Sequence, residues 1–136
     1  MDTPVIQDNY VRHMHSIESI YDGDTITAIV EMGYDHIDRI EFRFTGINTA
    51  EMKSQKDTVR YKLAVEAKEY VTDKLMNHKV RVYSYKFKSG GFGRYLGVMY
   101  YQQDGKWINL NQELLDVGLA QVYYEGASKD FGDWIV

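Results

Sequence analysis

The 136-residue chain contains no cysteine. No disulfide can staple it, the redox compartment stays undetermined, and a structural zinc would have to draw on its four histidines and its carboxylates. It has no apolar run of eighteen or more residues, the length a membrane-spanning helix needs. From Met1 to Ser16 polar and apolar residues alternate, with neither the basic start nor the apolar block of a secretion signal. The expected location is therefore the cytoplasm, with no membrane partner. An excess of basic residues is missing too: net charge is −4, which argues against holding nucleic acid by bulk electrostatics and allows only a local basic groove. There is no internal repeat and no low-complexity segment.

What is present is enough apolar material for one core, 44% hydrophobic and 14% aromatic, in a chain too short for two ordinary domains. One domain over residues 1–136 is expected. Ser16 to Val30 is rich in Ile, Thr and Val and is broken by Asp22-Gly23-Asp24, which reads as two strands or one sharply bent strand. In Ile37 to Phe44, Ile40, Phe42 and Phe44 alternate with Arg39, Glu41 and Arg43. A strand with this period buries one face and leaves Arg43 on the other.

Between Asp57 and Met76 the apolar residues Val59, Leu63, Ala67, Tyr70, Val71 and Leu75 recur at helical spacing. Val80 and Val82 begin a strand that returns as Leu96 to Tyr101, with Ser89-Gly90-Gly91 in the turn between them. Asn109 and Gln112 form a capping-box pattern, Leu110, Leu114 and Leu115 give an apolar stripe, and Gly118 marks a stop. After Tyr124 the chain turns polar and glycine-containing, with the aromatic Phe131 and Trp134 as candidates for docking, and the order of residues 125–136 stays open. This order of elements predicts an α+β, mainly β fold: a five-stranded oligonucleotide-binding barrel with two to three packed helices.

Asp22-Gly23-Asp24-Thr25 puts two carboxylates around one bend, an arrangement suited to a hard cation, although Asp-Gly alone is an ordinary hairpin signal. Asn48-Thr49-Ala50-Glu51 offers an amide oxygen, a backbone carbonyl and a carboxylate five residues after Arg43. In Phe92-Gly93-Arg94 a guanidinium beside a glycine can approach a phosphate. Each of these has a plain alternative as turn or solvated side chain. His13 and His15 read as surface side chains on an N-terminal strand.

The joint occurrence in chain order of Asp22-Gly23-Asp24-Thr25, Arg43 to Glu51, a long helix, Phe92-Gly93-Arg94 and Gly118-Leu119-Ala120 resembles the staphylococcal nuclease family, from about Ile20 to Tyr124. The resemblance implies a calcium-dependent endonuclease acting on DNA or RNA, single-stranded by preference, that leaves 3′-phosphate ends. It implies Asp24, Asn48 and the Thr49 carbonyl as calcium ligands with Asp22 beside them. Glu51 would position or deprotonate water, Arg43 and Arg94 would grip the phosphate, and Phe92 and Tyr124 would stack on a base. The chain departs from the family at three places. Asn48 stands where aspartate is usual, Ala50 where proline is common, and Phe92 where the best-known member has tyrosine. The first two bear on metal affinity and on water positioning. A monomer is expected, and the rival reading is a nucleic-acid-binding barrel that has lost catalysis.

Overall fold

The computed structural model describes residues 9–89 and 94–123, with side chains for 11–84 and 95–123. Strand β1 spans Asn9–Asp22, β2 Thr25–Gly33, β3 His36–Phe44 and β4 Ile47–Asn48. Helix α1 follows at Val59–Met76, then β5 (Val80–Ser89), β6 (Arg94–Gln103), β7 (Lys106–Asn109), α2 (Leu110–Asp116) and β8 (Gln121–Val122). The main sheet runs β3-β2-β1-β5-β6-β7. It closes on itself where β3 pairs in parallel with β6, Phe42 opposite Tyr95 and Phe44 opposite Gly97. The result is a closed five-stranded barrel with two described helices, the topology of an oligonucleotide-binding fold.

The period-two pattern explains which side faces in. Ile26, Ala28 and Val30 of β2, Phe42 and Phe44 of β3, Val82 of β5, and Met99 and Tyr101 of β6 fill the barrel. Val71 and Leu75 of α1 and Leu110 and Leu114 of α2 close it. Closure depends on Gly97: a Cβ there would lie 2.7 Å from Val82 Cγ2 and 3.2 Å from Phe42 Cδ1. Any side chain would have to displace Val82 on β5 and crowd Phe42 on β3.

Helix α1 starts at Thr58, whose side chain accepts the Tyr61 N–H at 3.2 Å, and it buries Ala64, Ala67, Val71 and Leu75. Val59, expected on the core face, is half exposed because the helix begins there, past the edge of the barrel. In α2 only one side of the expected capping box forms. Asn109 accepts the Gln112 N–H, but the Gln112 side chain turns to Asp116. The helix ends in a Schellman pair, with Leu119 N–H on the Leu114 carbonyl and Gly118 N–H on that of Leu115.

Two features had not been expected: β7, joined to β6 through positive-φ Asp104 and Gly105, and the two-residue ladder of β4 with β8. β1 also starts earlier than the expected strand. Among the described residues no helix is long and apolar enough to cross a membrane.

Candidate active site

The bend between β1 and β2 carries Asp22 and Asp24, both buried. Gly23 allows the bend to lie against α1 and the loop after β4. A Cβ at this position would sit 2.8 Å from Ala67 Cβ and 3.1 Å from the Thr49 side chain. The glycine therefore serves close packing as well as the turn.

The two carboxylates tie that loop down. Asp24 Oδ2 accepts the Thr49 N–H at 3.0 Å, Asp22 Oδ1 accepts the Met52 N–H at 2.8 Å, and Thr25 donates its hydroxyl to Asp24 Oδ1. Charge-assisted bonds to backbone N–H groups are among the stronger hydrogen bonds available. They hold the Ala50 segment without a proline, and Ala50 itself is buried. The ladder of β4 with β8, and the Tyr123 N–H on the Gly46 carbonyl at 2.8 Å, anchor the strand that leads into the loop.

Burial pushes the Asp22 carboxyl above its ordinary range, and the nearby charges of Asp24 and Glu51 add to that rise, against the Met52 N–H and Arg43, which lower it. Three carboxylates thus lie within electrostatic reach of one another. Glu51 is only partly buried, and among the described residues it pairs with the exposed Lys53, at 3.2 Å.

Arg43 corrects an expectation. Its strand alternates as anticipated, but the face it occupies is covered at this end of the barrel, so the side chain is buried rather than free in solvent. Nη1 lies 2.9 Å from Asp24 Oδ2 and donates to the Phe44 carbonyl at 3.3 Å. Nη2 donates to Asn48 Oδ1, and the guanidinium lies 5.6 Å from the Tyr123 ring centroid.

Asp22, Asp24, Arg43, Asn48, Thr49 and Glu51 are therefore brought together from the end of β1, the bend after it, β3, β4 and the loop that follows. Arg94 opens β6, two residues before Leu96, the parallel partner of Arg43. Phe92 and Tyr124 lie outside the described residues. His13 and His15 are exposed, as expected, in a groove of about 960 Å³ at the other end of β1, which they line with Glu31, Lys79 and Trp107.

The residues at the bend suit a hard cation in chemistry, since every donor is oxygen. Among the described residues no three His, Asp or Glu side chains alone form a metal-ligand group, so a cation here needs the Asn48 and Thr49 oxygens as well. The buried Thr49 hydroxyl has no hydrogen-bond partner among the described residues, and a positive group, Arg43, already bridges Asp24 and Asn48.

Asn111 is a site-supporting residue that was not anticipated. Buried at the start of α2, it accepts the Met99 N–H at 3.0 Å and donates to the carbonyls of Thr45 at 2.9 Å and Gly97 at 3.2 Å. It thereby joins β6 to the turn between β3 and β4. An asparagine two residues after a cap residue carries no local signal for that role.

No curated protein matches the chain. The family model for staphylococcal nuclease homologues matches residues 41–133, which covers Arg43, Asn48, Thr49, Glu51 and Arg94 and begins after the Asp22-Gly23-Asp24 bend. That family consists in general of nucleases, and the barrel is a nuclease-like nucleic-acid-binding fold. With more than half of its length matched and the barrel closed as described, the chain belongs to the staphylococcal nuclease homologue family.

Proposed function

We propose that the protein is a calcium-dependent endonuclease that hydrolyses phosphodiester bonds in DNA or RNA, with a preference for single strands, and leaves 3′-phosphate ends. The observation that carries this is the gathering of Asp22, Asp24, Asn48, Thr49 and Glu51 around Arg43 at one bend of the barrel. A pure binding module has no use for a partly exposed carboxylate beside buried ones.

Asp24, Asn48 and the Thr49 carbonyl would hold calcium, with Asp22 adding to the field. When bound, the ion supplies charge to offset that of the phosphate. Glu51 takes a proton from water whose oxygen attacks phosphorus. The bond from phosphorus to the 5′ oxygen breaks and that oxygen takes a proton from solvent water, so the phosphate stays on the 3′ side and the other fragment leaves with a 5′-hydroxyl. Arg43 and Arg94 bind the phosphate oxygens as charge builds. All these contacts are to phosphate, so neither base nor 2′-hydroxyl is read.

The second reading, a barrel that binds nucleic acid without cutting it, draws on one observation: Arg43 is engaged by Asp24 and Asn48. Incubating the protein with end-labelled single-stranded DNA and RNA, in calcium and in chelator, separates the two. Cleavage in calcium only, with products that a polymerase extends only after phosphatase treatment, is expected. Binding without cleavage at any calcium concentration favours the second reading.

A further inference from the structure

Arg43 is 4% exposed. Both terminal nitrogens of its guanidinium and one face are engaged: the Asp24 carboxylate at 2.9 Å, the Asn48 amide oxygen, the Phe44 carbonyl and the Tyr123 ring. Held in this way it cannot meet a phosphate arriving from solvent. Two of its partners, Asp24 and Asn48, are oxygens a divalent ion would need. Asp22, close by, takes part in no described ion pair and accepts one N–H, from Met52. Asp22, Asp24 and Glu51 against the Arg43 guanidinium and the exposed Lys53 ammonium still leave the bend negative.

We propose that Arg43 is the resident counter-ion of the cation site, holding Asp24 and Asn48 until a divalent ion displaces it, and that this displacement releases the guanidinium toward the phosphate. The inference rests on the calcium-site reading above and adds its regulation. A divalent ion at the same oxygens gains about twice the Coulomb energy of a guanidinium at equal distance, so exchange is favoured once calcium is concentrated enough. Substrate phosphate would then take the place of the oxygens that Arg43 gives up. By thermodynamic reciprocity calcium and substrate should each tighten the other's binding. An enzyme built this way keeps its phosphate grip sheathed while metal is scarce.

Two measurements on the full chain test this. In the first, calcium titration by calorimetry runs alongside NMR detection of the Arg43 guanidinium protons. Their exchange with water should speed up along the binding isotherm, because a released guanidinium loses its buried partners. Exchange that stays slow at calcium saturation overturns the proposal. In the second, Arg43→Gln, checked for folding by circular dichroism, should bind calcium about tenfold tighter with no nucleic acid present, the scale of one lost charge-assisted competitor. Equal or weaker binding by the folded variant also overturns it, and if the variant does not fold, the exchange measurement on the parent decides. Absence of calcium binding to either protein sinks the metal site itself and this inference with it, whereas binding with Arg43 still protected sinks the inference alone.

Discussion

Glu51 is the carboxylate of the site most free to act. Its side chain is 26% exposed and pairs with Lys53, itself 73% exposed, and an ion pair that wet contributes little to stability. Glu51→Gln should therefore leave the melting temperature unchanged while lowering turnover about 10²–10⁴-fold, the range for loss of a general base. A folded variant with parental turnover would remove Glu51 from the mechanism. At Asn48 the expected direction is set by charge. Asn48→Asp strengthens both competitors for that oxygen, but calcium, with twice the charge of Arg43, gains more. Titration should show a lower dissociation constant and half-maximal cleavage at less calcium. Unchanged values for both would mean that residue 48 is not a ligand.

The bend between β1 and β2 and the contact of α2 with β6 are the elements whose alteration should be most visible. Gly23→Ala places a methyl group within 2.8 Å of Ala67 on α1, so either the helix or the bend has to move. Overpacking of this kind costs about 1–3 kcal/mol, and because Asp22 and Asp24 flank the glycine, cleavage should fall further than stability. A variant that loses stability but keeps its rate would show that the carboxylates need no fixed placement. At the other contact, the buried Tyr101 donates its hydroxyl to Glu113 of α2, 2.8 Å from both oxygens. Burial and then the Glu113 carboxylate push the Tyr101 phenol up, and the same two causes take Tyr70 to about 12. Each proton is thus held more tightly folded than unfolded. The stability they bring is complete below the ordinary tyrosine value of about 10 and drains as pH rises toward about 12. Tyr101→Phe should cost about 1–3 kcal/mol at neutral pH and lose stability less steeply in alkali. Denaturant midpoints for both proteins from pH 7 to 11.5 would show it, and parallel alkaline limbs would contradict the assignment.

At the scale of the whole molecule, a protein of net charge −4 has to hold a polyanion through local groups, and in the proposed mechanism an added cation is part of that balance. The buried carboxylates repel one another in its absence. Calcium that binds only the folded state should raise the melting temperature, by the equivalent of about 1.4 kcal/mol at ten times the dissociation constant. Thermal unfolding across a calcium series tests this in the absence of substrate. A melting temperature that does not respond while calorimetry reports binding would mean that the ion binds the unfolded chain equally well.

Features encoded within a few residues were legible from the sequence. The spacing of Ala67, Val71 and Leu75 placed α1, Asn109 and Gly118 bracketed α2, and the alternation through Phe44 placed β3. Candidate chemistry was legible too, because Asp22, Asp24, Asn48 and Glu51 lie in short motifs. The burial of Arg43 was not, since period two tells which face a side chain occupies and not what covers that face. Its partners come from residues 24 and 48 and from the Tyr123 ring, which the ladder of β4 with β8 brings in. The same holds for the space required at Gly23 and Gly97 and for the three bonds of Asn111. By itself the sequence determined both described helices, most of the barrel strands and the kinds of groups at the candidate site. Only the tertiary structure decided which charges neutralise one another, because that pairing depends on contacts between segments far apart in the chain, which no local pattern records.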